Sequence, residues 1–136
     1  MQRPAVQSFL VQWRRYKISI CYLSTSCFGK TYVADAIEKC HTFTPFHVEI
    51  SALHHYQGID ELKTIIRSYR DKGFELTLHN YFPAPQNEFV LNIAASEDQE
   101  NFKARQLVDN ALALGEYIAA PIYGIHAGYL SSPGAT

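Results

Sequence analysis

The chain has 136 residues, 47% hydrophobic and 18% charged, enough for one domain with a real core and too few for two comfortable ones. Twelve Lys and Arg face thirteen Asp and Glu, a net charge of −1, so no global field draws a polyanion and nucleic acid is not an expected partner. No window approaches the roughly 18 uninterrupted apolar residues of a membrane-spanning helix, so no membrane partner is expected.

Residues 1–16 carry Arg3, Arg14 and Arg15 and no acid, leaving nine bases against thirteen acids in the rest. Ser8-Phe9-Leu10-Val11 is too short for a signal-peptide core, so this basic head reads as an extension outside the fold. Cys21, Cys27 and Cys40 are an odd set without paired spacing, and no Asn-x-Ser/Thr acceptor occurs. A reducing, cytoplasmic setting is the expectation.

From Lys17 onward β-prone runs alternate with helical periodicity. Ile18-Ser19-Ile20-Cys21-Tyr22-Leu23 is the first strand, followed by a helix over 31–40 with Val33, Ile37 and Cys40 on one side. Phe46-His47-Val48-Glu49-Ile50-Ser51 is the second strand. The next helix, 59–72, has an apolar face of Ile59, Leu62, Ile65, Ile66 and Tyr69 and stops at Gly73. Phe74-Glu75-Leu76-Thr77-Leu78-His79 is the third strand. A long Pro-containing loop, 80–95, leads to a helix over 97–119, opened by the capping-box pattern Ser96-Glu97-Asp98-Gln99. Its expected buried stripe is Leu107, Val108, Ala111, Leu112 and Ile118. Pro121 breaks that helix, and Ile122-Tyr123-Gly124-Ile125-His126 is the fourth strand. Alternating strands and helices of this length predict right-handed βα units and a parallel sheet, an α/β fold. A long loop after the carboxyl end of such a strand is a usual place to hold ligand.

Parallel strands covered on both faces should be apolar throughout, and these are not. His47, Glu49 and Ser51 share one parity of the second strand, and Glu75, Thr77 and His79 share one parity of the third, each opposite aliphatic or aromatic residues. His126 ends the fourth strand on the parity of Ile122 and Gly124. If the apolar parity meets the helices, Glu49, His79 and His126 reach the carboxyl rim of a curved sheet, the active-site position of a barrel. Imidazoles and a carboxylate on one rim would suit a divalent transition ion. The spacing equally fits an open sheet with one solvated face and ordinary strand-end histidines. The adjacent His54-His55 point to opposite sides of an extended chain and read as loop residues, and His41 reads as a helix-end cation. Cys27 has no identified base, and no nucleotide-binding glycine pattern occurs.

The pieces Ser24-Thr25-Ser26-Cys27, Val48-Glu49-Ile50-Ser51, Leu78-His79-Asn80-Tyr81-Phe82-Pro83 with Phe89-Val90-Leu91-Asn92, and His126-Ala127-Gly128-Tyr129 resemble the xylose isomerase-like TIM-barrel superfamily. They are closer to its sugar phosphate isomerase/epimerase branch than to its apurinic-site endonucleases. The resemblance implies a partial barrel over 17–130 with a tail at 131–136: about four strands, half of a (β/α)8 barrel that typically takes about 250 residues. It implies a reaction at a sugar carbonyl assisted by a divalent ion (Mn, Mg, Co or Zn), on a sugar or sugar phosphate.

In that branch the principal metal ligands come from later strands, so this half would supply substrate contacts from Glu49, His79, Asn80, Tyr81 and His126. No catalytic acid or base carries over, and the isolated half would be inactive. In the endonuclease branch histidines at the positions of His79 and His126 bind zinc, which gives the alternative of a zinc-dependent phosphodiesterase. A third alternative is a non-enzymatic half-barrel that forms a homodimer through its open sheet edges and binds a carbohydrate or a partner protein.

Overall fold

The computed structural model describes residues 20–43, 46–96, 98–126 and 128. The basic head, the tail beyond 130, the first two residues of the expected first strand and Glu97 of the capping pattern lie outside the described residues. Four strands form one sheet in the order β1-β2-β3-β4: β1 Leu23–Ser24, β2 His47–Ile50, β3 Glu75–His79 and β4 Tyr123–Gly124. Every neighbouring pair is parallel. Three helices cross between them: α1 Val33–His41, α2 Ile59–Asp71 and α3 Asp98–Tyr117. A 3-10 turn, Thr25–Phe28, follows β1 directly. With strands in sequential order, right-handed crossovers put every helix on the same face. The α/β fold expected from the sequence is therefore present, and its arrangement is consistent with half of a βα-repeat barrel.

The covered face is aliphatic. Val48, Ile50, Leu76 and Leu78 are fully buried against Val33 and Ile37 of α1, Leu62 and Ile66 of α2, and Leu114 of α3. Burying side chains of this size contributes about 1.5–3 kcal/mol each, which makes this layer the main source of stability. The opposite parity carries the polar side chains. Register sets Glu49 between Ser24 and Thr77, and His47 beside Glu75. His47, Glu49, Glu75 and His79 are half-buried, so this face is neither open surface nor core.

Two expectations need correction. The regular pairing of β1 covers Leu23–Ser24, with 20–22 of the expected run outside it, and that of β4 covers Tyr123–Gly124, with Ile122, Ile125 and His126 outside it. In α3 the buried line is Ala104, Leu107, Ala111 and Leu114, with Ile118 just beyond the helix, whereas Leu112 is 52% exposed and Val108 only half-buried. Steps of three and four from Leu107 reach Ala111 and Leu114, and Leu112 falls one position off that stripe.

Candidate functional site

The loops leaving β2 and β3 place the polar side chains of the rim. Both hold a non-glycine residue in the left-handed region, Leu53 at φ 69° and Tyr81 at φ 61°. Such conformations cost of order 1–3 kcal/mol and cluster at functional sites. They turn the chain sharply as it leaves each strand.

Ser51, directly after β2, is 4% exposed and joins two hydrogen-bonded groups. Its hydroxyl lies 3.2 Å from His79 Nδ1 at the end of β3. The His79 and His126 rings then meet edge to face with centroids 5.3 Å apart. Gly124 makes this approach possible: a Cβ at that position would stand 2.3 Å from His79 Cδ2. With Nδ1–H donated to Ser51 Oγ, His79 Nε2 keeps its lone pair, the orientation that an outer hydrogen bond gives a metal-binding imidazole. His126 is exposed and His79 half-buried, so solvent reaches the pair.

On its other side, the Ser51 backbone N–H donates to Thr25 Oγ1 at 3.0 Å. The Thr25 hydroxyl is 2.9 Å from Nε2 of His54, whose Nδ1 is 3.1 Å from the Thr31 carbonyl oxygen. A carbonyl only accepts, so Nδ1 carries the proton and Nε2 accepts from Thr25. His54 is 5% exposed and packs edge-on against Phe82, and burial holds it below the ordinary imidazole range. Although it lies in a loop, His54 is the buried centre of the rim's hydrogen bonding, a role its adjacency to His55 does not reveal. His55 points the other way, onto the Tyr32 ring at 4.8 Å.

Comparison with protein-family models, with curated proteins and with solved structures found no match. The reading of the rim therefore rests on its own chemistry.

Of the five residues expected at the site, His79 and His126 come together. Glu49 lies one layer below them on the same face and has no hydrogen-bond or ion-pair partner among the described residues. Asn80 is 2% exposed, and its Oδ1 is buried without a hydrogen-bond partner among the described residues. An unsatisfied buried acceptor costs about 1–3 kcal/mol. Tyr81 turns away: its hydroxyl accepts the Leu91 N–H at 2.7 Å, and its ring packs on the small cluster of Leu91, Ala104 and Leu107. Its contacts tie the 80–95 loop to α3. Among the described residues no group of three or more His, Cys, Asp or Glu collects around one point, so the histidine pair would need further donors to enclose an ion.

The amino end of the same face holds a different group. The Tyr22 hydroxyl donates to Glu75 Oε1, and His47 Nε2 lies 3.5 Å from Glu75 Oε2. Partial burial and the Glu75 carboxylate push the Tyr22 phenol up to about 12. These side chains tie β1, β2 and β3 together across their first residues and leave the rim at the opposite end of the strands.

Proposed function

We propose that this chain is the amino-terminal half of a divalent-metal-dependent sugar or sugar-phosphate isomerase or epimerase, with the Ser51–His79–His126 rim contributing to its substrate and metal site. The observation that carries this reading is the meeting of two strand-end imidazoles, one of them oriented by a buried serine, at the carboxyl end of a parallel sheet. Neutral imidazole nitrogens suit Mn, Co or Zn, and His79 and His126 would supply two of the donors. When bound, such an ion polarises a sugar carbonyl. Glu49 would face sugar hydroxyls from the layer below, and the unsatisfied Asn80 oxygen is an acceptor for one of them. The open sides of β1 and β4 are assigned to the remaining strands of the barrel, from a longer chain or from a second copy. Unpaired thiols at Cys21, Cys27 and Cys40 fit a reducing cytoplasm. No helix among the described residues is long and apolar enough to cross a membrane.

Isothermal titration with zinc and manganese tests the shared site. The wild-type chain binds, and the double variant His79→Ala/His126→Ala loses binding; unchanged binding in the variant rejects a joint site. The same two imidazoles also suit a zinc phosphodiesterase, so the metal-loaded chain is next offered a sugar phosphate and, at low salt, an abasic DNA duplex. Retention of the duplex with no response to the sugar phosphate would replace the isomerase reading with the phosphodiesterase one.

A further inference from the structure

Helices α2 and α3 meet at the carboxyl end of α3. There the Arg67 guanidinium donates to the Tyr117 hydroxyl at 3.3 Å, and Lys63 Nζ stands 5.1 Å from the centre of the Tyr117 ring. Ahead of that contact, Ile59 and Leu62 of α2, residues from Lys103 to Asn110 of α3 and the loop 83–89 line a cleft of about 590 Å³. That is within the range of about 300–1,000 Å³ usual for small-molecule sites. None of Ser51, His79 or His126 lines it, so what it binds does not depend on the reading of the histidine rim.

The lining has a definite chemistry. The floor is apolar and closed, with Leu62 2% and Leu107 5% exposed. Five amides line it: Gln57 is committed to the Val33 N–H and to Glu61, while Gln86 and Asn87 from the loop and Gln106 and Asn110 from α3 are the four left for a ligand, and the Tyr56 ring, 55% exposed, stands at its edge. Charge is sparse: Lys103 and Glu88 are the ionisable acid and base of the lining, and Glu88 is held by Lys30 at 2.7 Å. The chain just after this loop is secured, because the Tyr81 hydroxyl accepts the Leu91 N–H and the Asn101 amide donates to the Ile93 carbonyl.

We infer that this cleft is a binding site for an uncharged sugar ring. Each amide offers both a donor and an acceptor, matching adjacent hydroxyls that do both, while the apolar floor and the Tyr56 ring take the C–H face of a pyranose. A purely apolar ligand would strip water from four amides and return no hydrogen bond. An anion would find one cation, Lys103, in a lining that also carries the Glu88 carboxylate.

The test is a nitrogen-15 NMR titration of the whole chain with glucose, xylose and maltose, with inorganic phosphate as the charged probe. Saturable shifts at Tyr56, Gln106 and Asn110 with a millimolar Kd are expected for at least one sugar, and none there with phosphate. Gln106 and Asn110 are exposed, so Gln106→Ala/Asn110→Ala should keep the wild-type melting curve and weaken the sugar about tenfold. Absence of saturation with all three sugars, binding of phosphate alone, or shifts centred on His79 and His126 instead would overturn the assignment.

Discussion

His54, in the loop after β2, and His79, the last residue of β3, stand at the same rim of one sheet, and the chain uses them in opposite ways. Both nitrogens of His54 are committed, to the Thr31 carbonyl and the Thr25 hydroxyl, and its ring is sealed against Phe82. His79 spends one nitrogen on Ser51 and directs the rest of its ring towards His126, in reach of solvent. Residue type does not separate a structural histidine from an available one here. The number of hydrogen-bond sites left after folding does, and Ser51 is the hinge between the two, giving its N–H to one network and its hydroxyl to the other.

The largest way to break this comparison is His54→Ala. The change removes a buried ring and leaves the Thr25 hydroxyl and the Thr31 carbonyl without their shared partner. A loss of about 2–4 kcal/mol in urea unfolding is expected. His79→Ala, at a half-buried position with one hydrogen bond, should cost about 1 kcal/mol or less while removing metal binding. Equal losses for the two variants would erase the distinction drawn between them.

Gly124→Ala is a smaller and more selective perturbation. The added methyl would stand 2.3 Å from His79 Cδ2, far inside contact, but what it meets is the end of a side chain that can swing away. Stability should fall by about 1 kcal/mol, whereas zinc affinity should fall about tenfold as His79 is turned from His126. Wild-type affinity in this variant would mean that the ring placement does not matter for the ion.

Much of this architecture is legible in the residues. The parity of β2 and β3 separates Val48, Ile50, Leu76 and Leu78 from Glu49, Thr77 and His79, and that parity predicts both the covered face and the polar one. Periodicity places α1 and α2 to within about two residues, since their apolar faces are dense. It does less well on α3, where alanines carry two positions of the buried line and the larger Leu112 draws attention away from it. The carboxyl-rim placement of His79 and His126 follows from their being strand-end residues; their contact does not, because it depends on the bare Gly124 between them. His54 was invisible for another reason. Its partners Thr25 and Thr31 lie 29 and 23 residues away; the pairing of β1 with β2 brings up the first, and the parallel bridge between Thr31 and His54 the second.

The finest test of the comparison is pH. His54 is held neutral by burial, below the 6.5 of a free imidazole, so the unfolded chain takes up its proton before the folded one does. Its contribution to stability is complete above pH 6.5 and is lost progressively as the pH falls through that value towards the lowered folded one. Unfolding free energy should therefore decline on acidification, and His54→Gln, which cannot titrate, should show a shallower decline than wild type over the same interval. If His54→Gln kept the wild-type slope, burial would not be excluding a proton from His54, and the structural role assigned to its network would fall.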